Sequence, residues 1–355
     1  MKKSNVINLI RYYAEKNDAA FRSEALEIAK DFEKNGDHEL AHYVMSVMAG
    51  THLFSAQSDT IGDSLYLPPE SSFERLSTAV GDPFPLPKVI SNDLEGIANV
   101  ILHHRGLNRF LFQGKPGTGK TESVKQLARV LGREVLMADF SRLIDSRLGQ
   151  TQKNVVKLFR DMKSVSNPDN CIFLFDEIDA AALDRINGRD LREMGRVTSA
   201  FLRELDNLPE EIALIATTNL FDCMDAALVR RFDIIVDFNR YSQEDLKEIA
   251  ETLLAFYIKK YRCARSSSGL FRKILGLKKI PMPSEVKNNI RLATALSVSG
   301  ESFDYIPRLY SAFVGEPPGT PEQLRAQGFT LREIEILTGI SRSKVARELK
   351  ERTNE

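Results

Sequence analysis

The sequence contains no tryptophan and only three cysteines, Cys171, Cys223 and Cys263, among its 355 residues. The cysteines are odd in number and none is spaced as a CxxC pair, which argues against a disulfide framework and against a cysteine-based zinc site. A chain that does not depend on disulfides suits a reducing environment. We therefore expect a cytoplasmic protein.

The sequence also has no excess of charge, because 49 lysines and arginines balance 49 aspartates and glutamates. No global field favours nucleic acid or an anionic membrane, so any such binding has to come from a local patch. No stretch approaches about 18 consecutive apolar residues, which predicts that no helix spans a membrane. The first residues, MKKSNVINLIRYYAEKND, lack the apolar segment of a signal peptide.

The first 87 residues divide into two stretches of different composition. Apolar residues recur at helical spacing over residues 1–50, as in Phe21, Ala25 and Ile28, which predicts a small helical module. Residues 51–87 are rich in serine, glycine and proline and show weak periodicity. This composition predicts a linker or an extended surface segment.

Strands and helices alternate over residues 88–238. Runs such as CIFLF and IALIATT are almost entirely apolar, which is typical of a parallel sheet covered by helices on both faces. The expected fold class is therefore α/β. Residues 239–315 read as a mostly helical domain, and residues 322–355 read as a two-helix tail.

A glycine-rich loop follows the apolar run RFLFQ and precedes a helical pattern. The stretch GKPGTGKT matches the phosphate-binding signature GxxxxGK[ST] in its strand–loop–helix setting. Glycines let backbone N–H groups turn toward phosphate oxygens, and the next helix presents its positive end. We expect a nucleoside triphosphate here, with Lys120 on its β- and γ-phosphates and Thr121 on Mg²⁺. The predicted nucleotide-binding residues are Gly114, Pro116, Gly117, Thr118, Gly119, Lys120, Thr121 and Glu122.

Polar residues end the next two apolar runs. Asp176 and Glu177 close FLFDE, and parallel sheets bind ligands at the carboxyl ends of their strands. Asp176 suits a Mg²⁺ ligand, and Glu177 suits the group that polarises an attacking water. The alternative is a pair of solvated acids that cap a helix. Asn219 could hold the attacking water, or it could be an ordinary residue of a strand-end turn.

Two adjacent arginines, Arg230 and Arg231, stand just before the last predicted strand, in ALVRRFD. They could be plain surface charge. An arginine that reaches a neighbouring subunit's nucleotide would instead stabilise the charge of the transition state. Local sequence leaves both interpretations open.

Taken together, GKPGTGKT, FLFDEID, ATTN and DAALVRRFD closely resemble, in order and spacing, the AAA+ ATPases and within them the AAA group. The likeness covers about residues 85–314. It implies a P-loop NTPase core with a helical lid, ATP and Mg²⁺ as ligands, and a ring hexamer that moves a protein client. The roles it implies are Walker A at Lys120 and Thr121, Walker B at Asp176 and Glu177, sensor 1 at Asn219, and arginine fingers at Arg230 and Arg231.

Two features depart from that group. The segment that usually carries an aromatic pore loop reads SRLGQT here, with Arg147, Leu148 and Gly149 and no aromatic residue. This weakens the case for a processive unfoldase, and Arg147 is either a pore residue or an exposed loop charge. The arginine stretch also lacks the common Pro-Gly spacer, so the choice between Arg230 and Arg231 as the finger stays open.

The N-terminal segment LIRYYAEKNDAAFRSEALEIAKDFEKNGDHELAHYV has a narrower likeness. It resembles the opening helices of bacterial AAA ATPases that are encoded beside subtilisin-like serine proteases. Those gene pairs are associated with plasmid maintenance and phage defence. The resemblance implies a protease partner, whereas the alternative is a generic helical adaptor.

The C-terminal stretch FTLREIEILTGISRSKVARELKER resembles a helix-turn-helix. Gly339 would lie in the turn and Ser341 would cap the second helix. Glu335 departs from the pattern, because such motifs usually have a small residue there. The residues expected to pack together are Leu331, Ile334, Leu337, Val345 and Leu349. The residues expected to face DNA are Arg342, Ser343, Lys344 and Arg347.

The alternative for this tail is a helical hairpin that docks on the lid or on a partner. A second basic stretch, KKYRCARSSSGLFRKILGLKK from Lys259 to Lys279, has eight basic residues and no acid. It interrupts the helical pattern of the predicted lid. We expect a flexible loop there, which either binds an acidic partner or nucleic acid or is simply solvated.

Overall fold

The computed structural model divides the chain into two compact units, Met1–Ser64 and Leu65–Glu355. In the first unit the described residues lie between positions 5 and 32 and are helical, and Ala25 and Ile28 are buried. This agrees with the helical pattern predicted there. In the second unit the structure describes residues 71–79, 81–138, 150–165, 167–179, 191–262, 267–297 and 303–351.

The predicted pore-loop residues Arg147, Leu148 and Gly149 lie outside the described residues, and so does Cys263. In the part of the chain that is described, no helix combines the length and the apolar character that crossing a membrane requires.

A six-stranded sheet forms the centre of the second unit, with the strand order β1-β3-β4-β5-β2-β6. Neighbouring strands run parallel except for β1, which pairs antiparallel with β3. The strands are β1 (Phe73–Leu76), β2 (Arg109–Gln113), β3 (Glu134–Ala138), β4 (Cys171–Phe175), β5 (Leu214–Thr218) and β6 (Ile234–Asp237).

Strand β1 corrects the linker predicted over residues 51–87. Phe73 is buried and its ring lies 5.1 Å from that of Phe173, edge to face. Ser72 adds a hydrogen bond from its Oγ to Asp161, at 2.8 Å. Residues 73–76 therefore extend the sheet rather than link domains. The sequence gives only a weak signal for this strand, because FERL is four residues long, has one buried side chain and lies among serines and prolines.

Helices cover both faces of the sheet, as the apolar strands require. Alternate residues of β4 enter two different apolar clusters: Phe173 and Phe175 pack in one, and Ile172 and Leu174 pack in the other. This alternation follows from the two-residue period of a strand. The helices of this half are α1 (Lys88–Leu102), α2 (Lys120–Leu131), α3 (Gln150–Lys163), α4 (Leu191–Asp206) and the short α5 (Ala226–Val229).

A mostly helical region follows the sheet, and we call it the lid. It includes α6 (Gln243–Tyr261), α7 (Ser268–Leu275), α8 (Pro283–Ala295) and α9 (Tyr305–Val314). Helix α7 corrects the flexible loop expected within the basic stretch. Its apolar residues Leu270, Phe271 and Ile274 are buried in the lid core. The basic residues led to the prediction of a loop, although they belong to a short amphipathic helix. Its basic side chains are exposed and its apolar side chains are buried.

The tail contains three helices rather than the two predicted: α10 (Pro321–Ala326), α11 (Leu331–Thr338) and α12 (Arg342–Glu351). Helix α10 begins with a capping box between Thr320 and Gln323. All five apolar residues expected to pack together in the tail belong to the same apolar cluster as the lid helices. The tail therefore docks on the lid, and the two form one continuous core.

Candidate active site

The glycine-rich loop connects β2 to α2 at the carboxyl edge of the sheet. Gly117 and Gly119 have left-handed backbones, with φ of 78° and 95°. A Cβ on Gly117 would meet Ser284 Oγ at 2.1 Å, and one on Gly119 would meet the ring of Phe84 at 2.1 Å. Both positions thus require glycine, for conformation and for space. Helix α2 begins directly after Gly119, so its N-terminus lies at the end of the loop.

Lys120 is buried at the first position of α2. Its Nζ donates to the carbonyl oxygens of Gly114 at 2.6 Å and Lys115 at 3.1 Å, and to Asn219 Oδ1 at 2.7 Å. Burial lowers the pKa of this ammonium. Three nearby carboxylates oppose that shift, those of Asp176, Asp179 and Glu177. The ammonium is thus held among acceptors at the place where phosphate oxygens would bind.

Asp176 and Thr121 lie within hydrogen-bond distance of each other. Thr121 Oγ1 donates to Asp176, at 3.0 Å from Oδ1 and 3.2 Å from Oδ2. Thr217 Oγ1 donates to the same carboxylate at 2.6 Å. A hydroxyl and a carboxylate this close are the hard oxygen donors that Mg²⁺ prefers, so the residues present fit that ion.

Glu177 is exposed and has a left-handed backbone, with φ of 52°. Such a conformation is unfavourable for a residue with a side chain, and it is common at functional sites. Two contacts hold it: its N–H donates to Thr217 Oγ1 at 2.9 Å, and its Oε1 accepts from Asn219 Nδ2 at 3.0 Å. The carboxylate therefore sits at the open side of the site, fixed in direction and accessible to water.

Asn219 links the two charged groups of the site. Its amide oxygen accepts from Lys120 and its amide nitrogen donates to Glu177. Its backbone N–H donates to Asp179 Oδ1 at 3.2 Å, and Asp179 is itself buried. The side chain is thus oriented from both ends, which an ordinary turn residue would not require.

Arg230 and Arg231 have different surroundings. Arg231 has partners within the chain: its Nε lies 3.1 Å from Asp206 Oδ1, and its guanidinium also donates to the carbonyl of Ala227 at 3.1 Å. Arg230 is exposed, and among the described residues its side chain has no hydrogen-bond or ion-pair partner. Only Arg230 is therefore free to reach outward.

The lid contacts the glycine-rich loop directly. Tyr241 Oη donates to the carbonyl of Thr118 at 2.7 Å, and the N–H of Ser284, at the start of α8, donates to the carbonyl of Gly117 at 3.1 Å. Asn239 Oδ1 accepts from the N–H of Lys115 at 2.9 Å. Three hydrogen bonds therefore join the loop to the residues at and beyond the end of the sheet.

The segment before α1 contacts both the glycine-rich loop and the lid, through Phe84 and Asp82. Phe84 packs against Gly119, and its carbonyl accepts from Gln126 at 2.8 Å. Asp82 accepts from Tyr257 Oη at 2.6 Å and from Lys260 Nζ at 2.5 Å, both on lid helix α6. Burial raises the pKa of Asp82, but these two hydrogen bonds lower it by more than burial raises it. The pKa of Asp82 is therefore below its ordinary value.

Two predicted nucleotide-binding residues have weaker links to the site. Pro116 lies exposed at the tip of the loop. Glu122 pairs with two cations of its own helix, Lys125 at 3.6 Å and Arg129 at 3.7 Å. The buried Thr118 donates from its hydroxyl to the carbonyl of Lys115 at 2.9 Å, so its side chain shapes the loop.

Several residues of the site were not predicted. Thr217 could have been found, because it stands in the same ATTN stretch as Asn219. Phe84, Tyr241 and Ser284 are far away in sequence from the loop that they contact. No local pattern marks them.

The parallel sheet, the strand–loop–helix around Lys120 and the acids at the end of the neighbouring strand define the architecture of a P-loop NTPase. Comparison with known proteins then specifies the domain. Residues 110–240 match the model of the ATPase family associated with various cellular activities, AAA. This stretch of the chain is therefore similar to AAA ATPase domains.

Similar proteins carry related names. The "Uncharacterized AAA family ATPase y4kL" of Sinorhizobium fredii is 38% identical over 133 residues, which is 38% of this chain and 39% of that protein. "Peroxisomal ATPase PEX6" of Dictyostelium discoideum is 30% identical over 191 residues, covering 48% of this chain and 16% of PEX6. "Cell division cycle protein 48 homolog" of Archaeoglobus fulgidus is 34% identical over 163 residues, covering 45% and 21%. The chain thus spans well under half of the length of each relative.

Proposed function

We propose that the protein hydrolyses ATP to ADP and phosphate at the carboxyl edge of its sheet. The observation that carries this proposal is the continuous chain of hydrogen bonds from Lys120 through Asn219 to Glu177. It places a cation, a polar positioning group and a carboxylate side by side at a phosphate-binding loop. Phosphoryl transfer needs these three parts, because its catalysis is mostly positioning and charge stabilisation.

Each residue has a defined task in this proposal. Lys120 exchanges its loop carbonyl acceptors for phosphate oxygens. Thr121 and Asp176 would hold Mg²⁺, which would neutralise charge on the phosphates. Glu177 accepts a hydrogen bond from the attacking water, and Asn219 holds the Glu177 carboxylate in direction.

Arg230 is our choice for the finger that completes a neighbouring subunit's site. The exposed Arg230 has no partner among the described residues, whereas Arg231 is held by Asp206. An arginine that acts on another subunit has to leave its own surface free. The proposal thus assigns a catalytic task to Arg230 and a structural task to Arg231.

The finger implies assembly, so we propose a ring, with six subunits as in the AAA group that the motifs resemble. We further propose that hydrolysis remodels a protein partner in the bacterial cytoplasm. The N-terminal likeness supports a subtilisin-like serine protease as that partner, in phage defence or plasmid maintenance. Co-purification of a co-expressed protease that is lost on removal of residues 1–50 would test the partner separately.

The central experiment compares Glu177→Gln with the unchanged protein. We expect phosphate release to fall by about 10²–10⁴-fold, because the carboxylate that polarises water is gone. ATP binding should persist, and mass photometry should show that ATP assembles the variant into a ring. Lys120→Ala is the matched control, since it should lose binding, hydrolysis and assembly together. Phosphate release that Glu177→Gln leaves unchanged would refute the assigned role, and a nucleotide-bound monomer would refute the ring.

A further inference from the structure

The last helix of the tail has an exposed face that carries basic side chains. Helix α12 packs on α10 and α11 through Val345, which is fully buried, and through Leu349. Ser343, Lys344 and Arg347 are exposed, and so is Lys350. In a helix these four residues fall on the side opposite to Val345 and Leu349. Among the described residues, the side chains of the three cations have no hydrogen-bond or ion-pair partner.

Docking of the tail on the lid leaves this face open. The tail is held from its other side: Lys273 of α7 pairs with Glu333 of α11 at 2.7 Å, and Tyr310 of α9 donates to Gln327 at 2.9 Å. Phe329, between α10 and α11, is buried in the lid core. The two interpretations of the tail are therefore compatible, because α10 and α11 dock while α12 stays accessible.

The turn before α12 is fixed in a way that explains Glu335. Gly339 ends α11 with a left-handed backbone, and only two residues separate it from α12. Glu335 Oε1 accepts from the N–H of Arg342 at 3.2 Å, and its Oε2 pairs with Arg342 Nε at 2.9 Å. The glutamate thus accepts from the first turn of α12 and pairs with Arg342, which we therefore leave out of the outer face. A short turn that contains a glycine between two helices is a feature of the helix-turn-helix.

We propose that residues 321–351 bind duplex DNA through the outer face of α12. Lys344, Arg347 and Lys350 follow one another at intervals of three residues and span about 9 Å along the helix axis. Such a row of cations suits contact with phosphates, and the Ser343 hydroxyl near the helix start is a donor for phosphate or base edges. A recognition helix in the major groove uses its first turns in this way.

The same chemistry distinguishes DNA from an acidic protein as the partner. The outer face carries long cations without an apolar residue among them, and protein interfaces depend on buried apolar anchors at their centre. Binding that depends on phosphate contacts needs no such anchor. This inference goes beyond ATP hydrolysis and would stand if the proposed function failed.

The test is fluorescence anisotropy of a labelled mixed-sequence DNA duplex with the full-length chain, over a series of salt concentrations. We expect binding that weakens as salt rises. Lys344→Ala combined with Arg347→Ala should reduce the slope of log K against log salt by about 1.8, since each lost phosphate contact contributes about 0.9. The ATPase rate without DNA should be unchanged.

The matched control removes one lysine and one arginine elsewhere, at the exposed positions Lys153 and Arg160 of α3. It should bind DNA as the unchanged protein does. Absence of binding at low salt, or an equal loss in the control, would overturn the proposal. Tighter binding of single-stranded RNA than of the duplex would overturn it too. So would displacement of the DNA by an acidic polypeptide, if the double variant kept the salt slope of the unchanged protein.

Discussion

The sheet half of the molecule and the helical lid with its tail both bury large apolar clusters, but they place their polar groups differently. In the sheet half, three polar residues lie in the interior: Thr217 near the end of β5, Lys120 at the start of α2 and Asp179 after β4. In the lid and tail, the core is nearly all aliphatic and aromatic, and the charged groups pair at its surface. One half buries the polar groups of the candidate site, and the other buries one continuous apolar core.

This difference teaches which groups serve activity and which serve cohesion. A buried polar group is unfavourable unless it is hydrogen-bonded, so the network around Asp176 and Asn219 has to be nearly complete. An apolar cluster has no such demand and gains stability from area and close packing. We therefore expect changes in the sheet half to act first on turnover, and changes in the lid and tail to act first on stability.

The largest expected effect separates the two arginines. Arg230→Ala should lower kcat by about 10³–10⁵-fold, the contribution typical of an arginine supplied to another subunit's nucleotide. Arg231→Ala should instead cost about 0.2–1 kcal/mol of stability, since it removes a partly exposed ion pair with Asp206. Steady-state phosphate release and thermal unfolding of both variants decide this. The assignment is wrong if Arg231→Ala has the greater loss of turnover.

A change in the lid–tail core should act on stability alone. Phe329 is fully buried beside Tyr310, with 6.2 Å between the ring centroids. Phe329→Ala should lower the free energy of unfolding by about 3–5 kcal/mol, from lost burial and the cavity that remains. Urea denaturation followed by circular dichroism measures this. Leu296→Ala, at a position 64% exposed, is the control and should change stability by no more than about 0.5 kcal/mol.

Two glycines sharpen the comparison within the sheet half. Gly119 and Gly132 flank the same helix with left-handed backbones, but a Cβ meets Phe84 at the first and nothing within 4 Å at the second. Both alanine variants should lose about 1–2 kcal/mol for the backbone conformation. Only Gly119→Ala should also lose ATP binding, which isothermal titration calorimetry would detect. Equal affinity in the two variants would contradict this reading of the loop.

The smallest expected effect concerns pH and the link between lid and tail. Burial raises the pKa of Glu333, but hydrogen bonds from Lys273 and Thr330 lower it further, so the folded pKa lies below the ordinary 4.5. A depressed pKa means that this contribution is present above pH 4.5 and is lost as the pH falls through the folded value.

Glu333→Gln should therefore remove a contribution of about 0.2–1 kcal/mol, which is small because Lys273 is partly exposed. Urea denaturation at pH 7 and at pH 3 measures it, and the difference between the variant and the unchanged protein should be smaller at the lower pH. Glu316→Gln, at an exposed position after α9, is the control. A difference that persists at the lower pH would mean that the glutamate acts through packing instead.

Much of the sheet half could be predicted from the sequence. The strands RFLFQ, CIFLF and LIATT, the loop at Lys120 and the polar strand ends at Asp176 and Asn219 all depend on neighbours in the chain. Hydrophobic runs, glycines and the residue just after a strand are local signals, and the topology of parallel sheets brings strand ends to one edge. The lid helices α6, α8 and α9 and the apolar face of the tail were predictable for the same reason.

Other features were decided only by the tertiary structure. Strand β1 exists because β3 offers it an unpaired edge, and α7 exists because its apolar side chains find the lid core. The difference between Arg230 and Arg231 depends on Asp206, which precedes them by more than twenty residues. Glycine at 119 is required by Phe84, and Glu335 is explained by Arg342. A sequence pattern reports what a residue can do beside its chain neighbours, whereas these contacts join residues that only the folded chain brings within bonding distance.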